Sequence, residues 1–118
     1  MNSFFSVVLL LAALIVGAPD LSAKPLSRTI RDIGLTSDDF TMLTASGASL
    51  YNTASPKPGK VVSWSNPDSK SHGTARLAAM RGNCAFVQHF VFPNGDEKSR
   101  EIRTQVCQNT DGKWVLQP

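Results

Sequence analysis

Residues 84–107 read CAFVQHFVFPNGDEKSREIRTQVC, and this stretch decides the fold. Cys84 to Phe92 is rich in valine and phenylalanine, side chains suited to a pleated, half-buried strand. Pro93-Asn94-Gly95-Asp96 is turn chemistry, and Arg100 to Cys107 returns as a second strand. The chain's two cysteines close the stretch at either end. A cross-strand disulfide needs Cα atoms about 5.5 Å apart, so pairing Cys84 with Cys107 would also set the register. Facing residue numbers then sum to 191, and the turn centres between Gly95 and Asp96, within a loop of up to four residues from Asn94 to Glu97. A two-residue Asn94-Gly95 turn would sum to 189 and leave the cysteines diagonal. On the loop-entropy account the cross-link stabilises the domain by about 3 kcal/mol.

That register divides the hairpin into two faces. One carries Ala85, Val87, His89 and Val91 opposite Val106, Thr104, Ile102 and Arg100, a composition that fits a covered core. The other carries Phe86, Gln88, Phe90 and Phe92 opposite Gln105, Arg103, Glu101 and Ser99, where an open antiparallel face meets water. Phe86, Phe90 and Phe92, with Arg103 beside them, read as a contact face for a partner or a second copy of the chain. The alternative is that a β-bulge near Gln88 swaps the faces, or that the segment from Lys24 folds over them.

The disulfide also follows from the expected destination. Residues 4–16 read FFSVVLLLAALIV, shorter than the roughly 20 apolar residues of a spanning helix. This run fits the h-region of a secretory signal, with cleavage expected before Lys24 and an uncleaved anchor as the alternative. No cysteine lies near the end of the run, so no lipid anchor is expected. Two cysteines in a small exported domain read as a disulfide. Zinc takes four ligands, and only His72 and His89 could join the cysteines, at no familiar spacing. Neither a metal nor a cofactor is expected.

Twelve basic and nine acidic residues give a net charge of +3, and removal of Asp20 with the signal raises it to +4. The cations are scattered and no nucleic-acid motif accompanies them, so they read as a solvated surface. Lys24 to Gly34 reads as an extended leader. Thr36-Ser37-Asp38-Asp39 starts a helix, with a hydroxyl cap and acids in the first turn. Phe40, Leu43, Gly47, Leu50 and Tyr51 continue it with one apolar stripe, and with Pro56 and Pro58 following it should stop by Thr53. Strands follow at Val61–Trp64, Gly73–Met80 and Trp114–Gln117 around the central hairpin. The expected fold is α+β: one helix on an antiparallel sheet of four or five strands, spanning residues 35–118.

No catalytic constellation emerges. No Gly-x-Ser-x-Gly elbow occurs, and the carboxylates of Asp68, Asp96, Glu97 and Asp111 are explained by turns. His89 reads as a structural mid-strand residue and His72 as a solvated turn residue. Trp64 and Trp114 read as core anchors, with a ligand platform as the alternative.

Three segments together resemble a known family. They are Val62-Ser63-Trp64-Ser65-Asn66-Pro67 with Gly73, then Gly82-Asn83-Cys84, then Cys107 with Asp111-Gly112-Lys113-Trp114. In this order they resemble the C-terminal domain of the rickettsial seventeen-kilodalton surface antigen and its proteobacterial relatives, over roughly Leu35 to Val115. The resemblance implies an exported envelope protein of a Gram-negative bacterium, associated with the outer membrane or cell surface and without established enzymatic activity; the departures from the family make a soluble periplasmic or secreted form the expectation here. This chain departs from the family at Ala85 and Gln108, where arginines usually follow the cysteines, and at Lys70, where a small residue is usual. It also lacks the antigen's lipid-anchor cysteine and glycine-rich segment. The expected partner is another envelope protein or polymer, with no nucleic acid and no membrane contact beyond an uncleaved signal. A different reading is a small inhibitor or effector of a host or competitor enzyme, acting through Lys98 and Arg100.

Overall fold

A computed structural model describes residues 25–118. The h-region and the expected cleavage before Lys24 lie outside them. Helix α1 (Leu26–Asp32) and helix α2 (Ser37–Tyr51) precede five strands: β1 (Val61–Ser65), β2 (His72–Arg81), β3 (Cys84–Phe92), β4 (Arg100–Gln108) and β5 (Trp114–Leu116). The strands form one antiparallel meander in sequence order. The α+β expectation holds, with five strands and a second, shorter helix.

The central hairpin keeps the register set by its cysteines. Cys84 faces Cys107, His89 faces Ile102, and Val91 faces Arg100. The disulfide joins the directly opposed pair, with Cα atoms 4.0 Å apart. The loop opens with a single 3-10 turn, Pro93–Gly95, in which Asn94 and Gly95 both have positive φ.

Helix α2 starts where its cap residue predicts. Thr36 accepts from the Asp39 N–H at 3.1 Å, and Asp39 accepts from the Thr36 N–H at 2.9 Å, a reciprocal capping box. Leu43, Gly47, Leu50 and Tyr51 are buried along the expected stripe. The helix lies over β1 and β2 and reaches β3.

The leader is where the structure differs from the sequence reading. Residues 26–32 are helical rather than extended, and Ile30 is 2% exposed, in one cluster with Leu35, Leu43, Trp64, Val91 and Ile102. The helix ends in a Schellman motif: the Gly34 N–H donates to Arg31 O and the Leu35 N–H to Ile30 O. Gly34 takes the left-handed conformation (φ +94°) that this ending requires. A second cluster, Leu50, Tyr51, Ala75, Leu77, Ala85, Val87 and Val106, fills the other half of the core.

Candidate functional site

Burial along β3 alternates without interruption. Ala85, Val87, His89 and Val91 are buried, while Phe86, Gln88, Phe90 and Phe92 are half-buried on the opposite face. No bulge swaps the faces at Gln88; the register shift between β2 and β3 falls in β2, between Leu77 and Ala79. It preserves the faces, because Met80 still packs on the core and Arg81 still points outward beside Cys84. Residues 25–34 do not fold over the phenylalanines either, since Ile30 packs on the opposite, core side of the sheet. Among the described residues, no element covers this outer face.

The register builds the face row by row. Arg76, Gln88 and Arg103 stand abreast on β2, β3 and β4; Thr74, Phe90 and Glu101 form the next row; His72 and Phe92 follow. The aromatic rings have polar neighbours. The Arg81 guanidinium lies 5.4 Å from the Phe86 centroid, within cation–π range. The His72 and Phe92 rings stack at 4.6 Å, nearly parallel. Glu101 accepts from Arg103 Nε and from Gln88 Nε2, and these two bonds hold its carboxyl below the usual range. The face thus sets three arginines against one carboxylate, and that carboxylate is already taken by Arg103. A shallow depression of about 400 Å³ lies between Arg76, Arg81, Phe86 and Arg103.

The opposite face contains a half-open, mainly apolar cavity of about 220 Å³. It sits where α2 leaves the sheet, over the core sides of β3, β4 and β5. Leu43, Gly47, Tyr51, Val87 and Val106 line it, together with the His89 imidazole; no charged residue does. His89 is 2% exposed and makes no hydrogen bond among the described residues, and its Nδ1 is buried without a partner. Burial lowers its pKa to about 4, so the ring is neutral at pH 7. Leu26, Phe40, Thr104 and Leu116 continue from the cavity into a wider groove beside α1.

Several of the residues quoted for the resemblance have scaffold roles. Asn66 Nδ2 donates to buried Asp39 Oδ1 at 2.8 Å, and Ser69 Oγ donates to the same oxygen at 2.6 Å. Trp64 faces Gly73 across β1 and β2, and a Cβ on Gly73 would meet Phe90 O at 2.7 Å and Trp64 Nε1 at 2.8 Å. Gly82 (φ +56°) makes the two-residue turn before Cys84, and Asn83 Nδ2 donates to Gln108 O at 2.7 Å. Asn109 Oδ1 accepts from the Asp111 and Lys113 N–H groups, which brings Trp114 to Tyr51 at 4.6 Å. Trp64 and Trp114 belong to different clusters and form no shared platform.

Among the described residues, no group of three or more histidine, cysteine or acidic side chains is placed to hold a metal. No described helix is long and apolar enough to cross a membrane. Comparison with family models, curated proteins and solved structures returned no match.

Proposed function

We propose that this chain is an exported, non-enzymatic envelope protein of the surface-antigen kind, and that it binds another envelope component through its outer sheet face. The observation that carries the reading is the half-buried line of Phe86, Phe90 and Phe92 along the outer side of β3, flanked by Arg76, Arg81 and Arg103. An aromatic centre with arginines at its margin is the composition of a protein contact rather than of an ordinary wet sheet face. The Cys84–Cys107 disulfide supports an oxidising destination, and the ordered motifs support the surface-antigen relationship.

Site-specific photo-crosslinking in the native envelope tests the reading. A photoreactive side chain at Gln88 or Phe90 is expected to give one dominant adduct, and the same group at Ser49, on the exposed side of α2, is expected to give none. Equal labelling at Ser49 and Phe90 would sink the proposal. Adducts confined to Lys98 and Arg100 would favour the inhibitor reading, in which the exposed β3–β4 loop is the active edge.

A further inference from the structure

We propose that the cavity between α2 and β3–β5 binds a small molecule: a single ring or short branched chain bearing one hydroxyl oxygen, held by the His89 imidazole. This site is independent of the outer face and lies on the other side of the sheet.

Three observations converge on it. First, the space is large enough. An apolar cavity of about 150 Å³ holds benzene, and this one measures about 220 Å³. Second, the His89 imidazole in its wall makes no hydrogen bond among the described residues, and its Nδ1 is fully buried. Buried polar side-chain atoms in folded proteins nearly always have a partner, yet His89, 2% exposed, has none among the described residues. Among buried backbone groups an orphaned N–H is rarer than an orphaned acceptor, and we apply the same preference to the ring. The neutral ring therefore keeps Nδ1 unprotonated in its dry position and carries its proton on Nε2. Third, no side chain at position 47 covers that nitrogen. The Cε1–Nε2 edge lies against Gly47, whose missing Cβ would stand 3.3 Å from Cε1 and 3.5 Å from Nε2. A ligand oxygen can accept from Nε2–H while its hydrocarbon part contacts Val87, Leu43 and Val106. A charged ligand does not suit a pocket with no charged lining.

Phenol and toluene, equal in size and differing in the oxygen, are the probes. Titrating the purified, oxidised protein with phenol is expected to give saturable shifts of the His89 ring nitrogens in ¹H–¹⁵N spectra. In His89→Leu the ratio of phenol to toluene affinity is expected to fall about fivefold, the worth of one ordinary hydrogen bond. Gly47→Ala favours the helix and narrows the space at Nε2, so it keeps the test valid if His89→Leu fails to fold; its phenol affinity is expected to fall at least tenfold. The proposal is overturned by no saturable phenol binding at millimolar concentration, which would leave the cavity to water. It is also overturned by an unchanged phenol-to-toluene ratio in His89→Leu, by undiminished phenol affinity in Gly47→Ala, or by shifts confined to the outer face.

Discussion

Asp39 is a carboxylate with no exposed surface, and it joins the start of α2 to the β1–β2 loop. Burial alone would raise its pKa, but hydrogen bonds from Ser69, the Thr36 N–H, Asn66 and Ser71 outweigh that and lower it. Asp39→Ala is expected to destabilise the protein by about 3 kcal/mol, because several buried donors lose a charged acceptor together. Urea denaturation would read this against Asp38→Ala, whose exposed side chain should cost under about 0.5 kcal/mol. An equal effect of the two would remove the polar knot from the account.

His89 produces the opposite imbalance: a buried titratable ring with nothing to stabilise its charge. Its folded pKa of about 4 lies below the ordinary 6.5. The unfolded chain therefore binds a proton that the folded chain does not, and stability rises with pH between those values. Lowering the pH from 7 to 4 is expected to cost on the order of 3 kcal/mol from this residue alone. The contribution of Asp39, whose folded pKa is depressed, is lost only as pH falls further. The urea midpoint should decline from about pH 6.5 in the natural chain and stay nearly flat down to pH 4 in His89→Leu. A decline of the same size in both proteins would assign the titration elsewhere.

At the scale of elements, the turns carry conformations that their residues make easy or hard. Lys70 has a left-handed backbone (φ 64°) in the β1–β2 loop, at the position where the resembled family has a small residue. Lys70→Gly removes the steric cost of that conformation and is expected to stabilise the protein by up to about 1 kcal/mol; a loss of stability in thermal melts would refute this. Gly73 is constrained from the other side. A methyl group there meets the Phe90 carbonyl and the Trp64 indole, so Gly73→Ala is expected to cost about 2–3 kcal/mol. The α1 helix shows why short elements escape a sequence reading. Pro25 and Gly34 punctuate it correctly, but seven residues give too little periodicity to separate helix from extended chain. Its helicity depends on Ile30 and Leu35 reaching the core, a tertiary fact.

For the whole molecule, the question was which face of the sheet the helices cover. Burying Ile30, Leu43, Leu50 and Tyr51 on one face leaves Phe86, Phe90 and Phe92 to the other. Adjacent residues of β3 should therefore respond differently to the same substitution. Val91→Asp, with Val91 fully buried, places an unpaired carboxylate in the core and is expected to abolish folding. Phe90→Asp is expected to cost about 1 kcal/mol and leave the circular dichroism spectrum unchanged. Similar unfolding by both would mean that the outer face is covered after all.

The sequence by itself determined the antiparallel hairpin, its register and the capped α2, because these rest on local pattern and on one covalent constraint. Cysteines 23 residues apart and directly opposed leave no freedom for a strand to slip. It also marked the scaffold motifs, although not what each one holds. Only the tertiary structure decided that the bulge falls in β2, that α1 joins the core side, and that Asp39 and His89 share burial with opposite consequences. Those outcomes depend on which distant groups converge on a side chain. Period and composition along one strand do not carry that information.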